Sequence, residues 1–306
     1  MRSLCIAGLV LVASCVEEGT NNVAVGIPTR ISVTGPAGAV LVRPEVSPDG
    51  ETIAFAAFVA RGHGLVYVGS FSNVEAVPLQ GGDYSWPSGG FSPDGKFLLV
   101  TDFQPPKMLK RVPITGGQAM PIAVAGNHAA TWGPNDNIVM GSNEGLWLVA
   151  ASGGERTALT TLAEGEQGHW LPRFLPHGRA VLFFILTGDR DTGQVGLFDF
   201  ENGERRTLLS GTASAFAPSG HLVFWRDGAL WAVRFDPDLL EISGTPVVVV
   251  RDVGADYMGD AWFSVSVEGT LAYIPTPKDS VTTDTVPEVI LVKNWSEELK
   301  RLVATP

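Results

Sequence analysis

The sequence predicts an all-β fold, a ring of six antiparallel units of four strands each. Three observations predict it. A five-residue turn motif recurs six times at nearly even spacing, and each copy is followed by short strands rich in β-forming residues. The chain also holds 36 Gly and 21 Pro in 306 residues, which suits a backbone that turns often.

The first two copies of the turn are Val46-Ser47-Pro48-Asp49-Gly50 and Phe91-Ser92-Pro93-Asp94-Gly95. Weaker copies follow at Trp132-Gly133-Pro134-Asn135-Asp136, Phe174-Leu175-Pro176-His177-Gly178 and Phe216-Ala217-Pro218-Ser219-Gly220, and a degenerate sixth at Val265-Ser266-Val267-Glu268-Gly269. Their third positions, residues 48, 93, 134, 176, 218 and 267, are separated by 45, 41, 42, 42 and 49 residues. A four-stranded blade occupies roughly 40–45 residues, so the period fits. Proline presets φ for the second position of a tight turn, Ser and Asp bond the nearby backbone, and the closing Gly accepts a left-handed conformation.

Each turn leads into an apolar strand: Thr52–Phe55, Phe97–Val100, Ile138–Met140, Ala180–Phe183, Leu222–Phe224 and Leu271–Tyr273. A further strand recurs at Gly64–Val68, Met108–Ile114, Leu146–Val149, Val195–Phe198, Leu230–Val233 and Val289–Val292. Gly turns then lead into a last strand, as in Ser152–Leu159 and Glu201–Leu208. Arg179–Leu186 and Thr245–Val249 read as buried strands, and no amphipathic helix is expected beyond the N-terminus. The expected architecture is therefore a six-bladed β-propeller of four-stranded antiparallel blades. Thr29–Val33 is placed to complete the last blade, although the sixth unit also reads as owning four strands.

The S-P-D-G turn, the strand after it and the later G-G-E or N-G-E turn resemble the TolB-type repeats of bacterial WD40-like propellers. The resemblance covers about residues 27–306, and the ending Asn294-Trp295-Ser296-Glu297-Glu298-Leu299-Lys300 resembles the last blade of that group. It implies binding of a protein or peptide at the mouth of the central channel. The separate N-terminal domain of TolB itself has no counterpart in the pattern, so a general envelope-binding role is what carries over.

Residues 1–15 have the layout of an export signal: Met1-Arg2, an apolar run from Leu4 to Val12, then Ala13-Ser14-Cys15. Val12–Cys15 resembles a bacterial lipobox, which makes Cys15 the expected lipidation site. Residues 16–26 read as a tether and 27–306 as the propeller. The two Cys, Cys5 and Cys15, both belong to the signal, so neither a disulfide nor a thiolate metal site is expected in the mature chain. The expected location is periplasmic or on the outer membrane, with membrane contact only through the lipid. A formal net charge of -11 disfavours nucleic acid as a partner, and the chain is expected to act as a monomer.

No catalytic residue is assigned. The G-x-S-x-G elbow and both phosphate-loop patterns are missing, and Ser88 in Trp86-Pro87-Ser88-Gly89-Gly90 is only an imitation of a nucleophile. Asp189-Arg190-Asp191-Thr192-Gly193 holds a fragment of a calcium loop, but it lacks the distal Glu and equally describes a hairpin turn. No cofactor or metal is assigned. Of the five His, His177 and His221 read as solvated and His63 as a loop residue.

His128 and His169 precede their repeat turns in the loop expected to face the channel mouth, where other units carry Trp86, Tyr257, Asp260 and Trp262; Arg43 and Arg173 lie nearer the turns. These eight are the candidate ligand or partner site. Simple channel lining is the competing account of each. The rival function is a metal-dependent propeller hydrolase, lactonase or lyase with its site in the channel. A third is a sensor module orphaned from a kinase-linked propeller.

Overall fold

A computed structural model describes residues 26–59, 63–83, 85–102, 105–126, 129–277 and 285–303. The expected signal, Cys15, nearly all of the tether and His128 lie outside these residues. So do the side chains of Asp189–Thr192.

The described chain is all-β apart from one 3-10 turn and one short helix. Its strands are β1 (Thr29–Thr34), then β2–β5 (Val40–Val46, Thr52–Val59, His63–Ser70, Val77–Asp83) and β6–β9 (Ser85–Phe91, Phe97–Asp102, Met108–Pro113, Met120–Val124). Next come β10–β13 (Ala130–Trp132, Asn137–Ser142, Gly145–Ala150, Thr157–Ala158) and β14–β17 (Gly168–Phe174, Ala180–Thr187, Asp189–Asp199, Arg205–Ser210). The last are β18–β21 (Ser214–Ala217, His221–Arg226, Ala229–Asp236, Glu241–Val250) and β22–β24 (Phe263–Val265, Leu271–Tyr273, Glu288–Lys293), followed by α1 (Trp295–Leu302).

These strands form antiparallel sheets of four. The one apparent eight-stranded sheet joins β10–β13 to β14–β17 through the single pair Ser142–His169. The first strands of the units touch in succession: β2 with β6, β6 with β10, β10 with β14, β14 with β18, β18 with β22, and β22 with β2. In the unit formed by β22–β24, the fourth strand is β1, which pairs along its whole length with β24, from Thr29–Lys293 to Thr34–Glu288. The two ends of the chain thus share a sheet. The competing expectation, a sixth unit with four strands of its own, is corrected, because the C-terminal segment turns into α1 instead of a strand.

The cores lie between successive sheets, and the strand period of two explains how. On β3, Ile53, Phe55 and Ala57 pack toward Ala272, Val289 and Leu291 of the preceding unit, while Ala54 between them packs toward Phe91, Leu98 and Val100 of the next. The same alternation recurs on β11, where Val139 joins Phe183 while Ile138 and Met140 join Leu99. Second strands buried on both faces read as continuous apolar runs, as in Ala180–Leu186, where all seven residues are buried. Each fully buried Phe among Phe55, Phe183, Phe184 and Phe224 contributes roughly 1.5–3 kcal/mol by removal from water.

The repeat turns have the expected chemistry. Ser47 Oγ donates to Asp49 Oδ1 at 2.5 Å and accepts from Thr52 N at 2.9 Å, Asp49 Oδ1 accepts from Glu51 N at 3.1 Å, and Gly50 has φ of +74°. Ser92, Asp94 and Gly95 repeat the pattern at 2.6, 2.9 and 3.1 Å with φ of +71°. Four of the turns lie against a turn of the preceding unit: Gly95 on Pro48, Gly178 on Pro134, Gly269 on Pro218 and Gly50 on Thr270.

Four further expectations are corrected. Helix α1 is amphipathic: Trp295 and Leu299, four residues apart, are buried, with Glu297 and Glu298 in the first turn and Lys300 and Arg301 in the last. It escaped the periodicity reading because eight residues carry only two inward positions. Thr245–Val249 is indeed part of a strand, β21, but only Val250 of that strand is buried. His221 is buried, 2% exposed, with Nδ1 3.0 Å from Ser219 Oγ. The backbone of His63 opens strand β4.

Candidate functional site: the channel and its mouth

The first strands of three units are broken by bulges. The register of β2 shifts between Val42 and Glu45, that of β6 between Pro87 and Phe91, and that of β14 between Trp170 and Arg173. In two of them a proline sits at the shift, Pro44 and Pro172, where a missing ladder donor is tolerated. In three units the residue five before the repeat proline adopts a left-handed backbone: Arg43 at φ of +53° and Leu171 at +52° beside two of these bulges, and Ala129 at +64° just before β10. All three line the narrow axial channel, together with Ser88 and Ala213 from the same register position of other units. Left-handed non-glycine residues cost energy and re-aim side chains, and these three face the channel from three different units.

The register position three before the repeat proline crosses the channel. Around the ring it carries Glu45, Gly90, Thr131, Arg173 and Ala215. Glu45 and Arg173, three units apart, meet in a bidentate pair, with Nη2–Oε1 at 2.5 Å and Nη1–Oε2 at 3.1 Å. Gly90 lies against both: a Cβ there would stand 3.5 Å from Glu45 Oε2 and 3.8 Å from Arg173 Nη1. The pair forms a crossbar. Beside it the channel narrows to about 20 Å³, room for about one water molecule, with Ser214 Oγ facing no hydrogen-bond partner in the protein.

Above the crossbar the channel opens into a mouth of about 310 Å³, lined by Arg43, Trp86, Lys107, Leu171, Tyr257 and Asp260 among others. Trp86 carries two cations over its ring, the Arg43 guanidinium at 5.0 Å and the Lys107 ammonium at 5.7 Å from the centroid. Arg43 Nη2 also lies 2.6 Å from Asp260 Oδ2. That oxygen receives no directed hydrogen bond, so the contact is ionic. Burial pushes the Asp260 carboxyl up to about 6, against the pull of Arg43 and Arg173, with Asp256 and Glu45 adding repulsion. Asp260 is delivered by a tight turn in which Asp256 Oδ1 accepts from Met258 N at 2.8 Å and Asp260 N at 3.0 Å. The turn leaves Tyr257 at its tip, 84% exposed.

Of the eight expected site residues, the structure gathers Arg43, Trp86, Tyr257 and Asp260 at the mouth and places Arg173 in the channel below. His128 lies outside the described residues. Trp262 is corrected to a core residue, 8% exposed, packed on Gly254 and in the cluster of Leu41 and Phe55. His169 is corrected as well. It is wholly buried at the junction of β11 and β14, with Nδ1 2.7 Å from Thr160 Oγ1, Nε2 3.1 Å from Glu166 Oε2, and Phe183 against its ring. Glu166 is in turn clamped by Arg205 at 2.8 and 3.1 Å. Sequence reasoning missed Glu45, Lys107 and Met258. The signal for Glu45 was available: it shares a register position with Arg173 and has the opposite charge.

Burial, opposed by Glu166, holds His169 below its ordinary value of 6.5. A depressed folded value means stability present above 6.5 and lost as pH falls through the folded value. His169 is therefore expected to lower the melting temperature between about pH 7 and about pH 5, against the opposite contribution of the raised Asp260 carboxyl, and His169→Gln is expected to remove that lowering. An equal fall in the variant would show that His169 is not its source. Among the described residues, no three His, Cys, Asp or Glu side chains come together as metal ligands.

No family model and no curated protein matches this chain. Solved structures do match in fold. TolB from Acinetobacter baumannii aligns with a TM-score of 0.56 at 14% identity, over 72% of this chain and 64% of that one. A TolB homologue described as putative, from Agrobacterium tumefaciens, gives 0.55 at 18% over 78% and 91%. A gluconolactonase from Xanthomonas campestris gives 0.59 at 11% over 88% and 90%. At these identities the likeness defines the fold, which is a TolB-like β-propeller. This chain spans only about 64% of the length of the Acinetobacter TolB.

Proposed function

We propose that the chain is a six-bladed propeller, exported and anchored through Cys15 at a bacterial envelope, that binds a protein or peptide segment at the channel mouth without catalysis and as a monomer. Six blades are supported by the successive contacts of the first strands, by cores between every pair of neighbouring sheets, and by closure of the last sheet with β1. The observation that carries the binding role is the mouth itself. Trp86 under two cations and the exposed Tyr257 rim a cavity that the Glu45–Arg173 crossbar stops below. Aromatic and Arg anchors around a concavity are what dominate protein recognition, and a stopped channel offers a socket and no passage.

The test is a synthetic array of random heptapeptides with amidated C termini, probed with the folded chain. Binding is expected, and Trp86→Ala is expected to weaken it by about thirtyfold without moving the melting temperature, as loss of a hot spot of about 2 kcal/mol does. An array that binds nothing above the Trp86→Ala background would overturn the reading.

One observation favours a second reading, that of a hydrolase: a buried carboxyl titrating near 6 beside a cavity is a common acid–base arrangement. Hydrolysis of a sugar lactone above the buffer rate, lost in Asp260→Asn, would move the assignment there.

A further inference from the structure

We propose that the mouth selects a peptide segment bearing a side-chain carboxylate, which docks over Trp86 between Lys107 and Arg43 and takes the place of Asp260 on Arg43. This deepens the peptide-binding reading above and rests on it.

Three features of the mouth converge on a carboxylate. Lys107 is the first. Among the described residues, no carboxylate comes within ion-pair distance of its ammonium group, while Trp86 holds that group at the rim of the cavity. The second is how weakly Arg43 is satisfied. Its guanidinium has five donors, yet its contact with Asp260 is ionic and undirected, in contrast to the bidentate clamp of Arg173 on Glu45. An incoming carboxylate that reaches Arg43 head-on gains directed hydrogen bonds that Asp260 does not make.

The third feature is the position of the exchange. Arg43 and Asp260 line both the narrow channel and the open mouth, and the left-handed backbone of Arg43 sets its side chain on the boundary. Asp260 thus acts as a built-in stand-in for the ligand. Its displacement is made easier by proton uptake, because burial already pushes this carboxyl up to about 6. The charged groups facing it are Arg43, Arg173, Asp256 and Glu45. With Asp260 ionised, the mouth groups Arg43, Lys107, Asp256 and Asp260 sum to no net charge; with it protonated they attract an anion.

The same peptide array tests this when each Asp and Glu is paired with its Asn or Gln counterpart. Acidic members are expected to bind about tenfold more tightly than their amide counterparts, and Lys107→Glu is expected to erase the difference. Affinity for acidic members is expected to rise from about pH 7.5 to about pH 6, and Asp260→Asn is expected to raise it at the higher pH and flatten the profile. A melt of each variant checks that it is folded. If acidic and amide peptides bind alike, the carboxylate selection is wrong while peptide binding stands. If Asp260→Asn leaves affinity and pH profile unchanged, the displacement step is wrong. If no peptide binds, both readings fall together.

Discussion

Arg173→Ala is expected to destabilise the protein by about 3 kcal/mol, read as a shift of the denaturant midpoint at unchanged slope. Glu45 is the buried partner, at 7% side-chain exposure against 27% for Arg173, so removal of the arginine strands a desolvated carboxylate in the channel. The partial exposure of Arg173 sets the cost at the low end of the 3–5 kcal/mol range for broken buried pairs. Glu45→Ala is expected to cost less, because water reaches the orphaned guanidinium. The double substitution Glu45→Leu/Arg173→Leu removes both charges and is expected to recover most of the loss. Equal midpoints for the wild type and Arg173→Ala would show that the crossbar contributes nothing to folding, and its role would then be confined to closing the channel.

A chain that begins at Gly35 is expected to lose its single cooperative unfolding transition altogether. That truncation deletes β1, and with it the ladder along β24, the fully buried Val33 and the Arg30–Glu298 ion pair at 2.8 Å. The free edge of β24 would then present unpaired backbone groups, a template for association with other chains. The expected outcome is a broad melt and aggregated material by size exclusion, and addition of a synthetic peptide spanning β1 is expected to restore part of the native signal. A truncated chain that melts as sharply as the full one would mean that the ring does not depend on β1 for closure.

The turns and second strands were legible because they obey local rules. Ser47-Pro48-Asp49-Gly50 folds on itself whatever surrounds it, and Ala180–Leu186 is apolar on both faces because neighbouring sheets cover both. The short strand of two residues, Thr157–Ala158, also followed from its Gly turn. The candidate site was only half legible. Arg43, Trp86, Tyr257 and Asp260 were found by their distance from the repeat turns. That same distance misplaced His169, on a strand where a bulge of one residue turns the side chains to the other face, and Trp262, which packs into the core against Gly254.

Local sequence alone determined the repeat, its period, the turns that mark it and hence the all-β class, since each rests on contacts within a few residues. Tertiary structure decided what those rules do not reach. Strand β1 closes on β24 across more than 250 residues, and Glu45 meets Arg173 across 128. His169 is buried by partners on another strand and loop, and the Asp260 carboxyl is raised by its burial beside the mouth. The physical reason is the same in each case: pairing, burial and local dielectric depend on which segments the fold brings together, and no short window of sequence contains both partners.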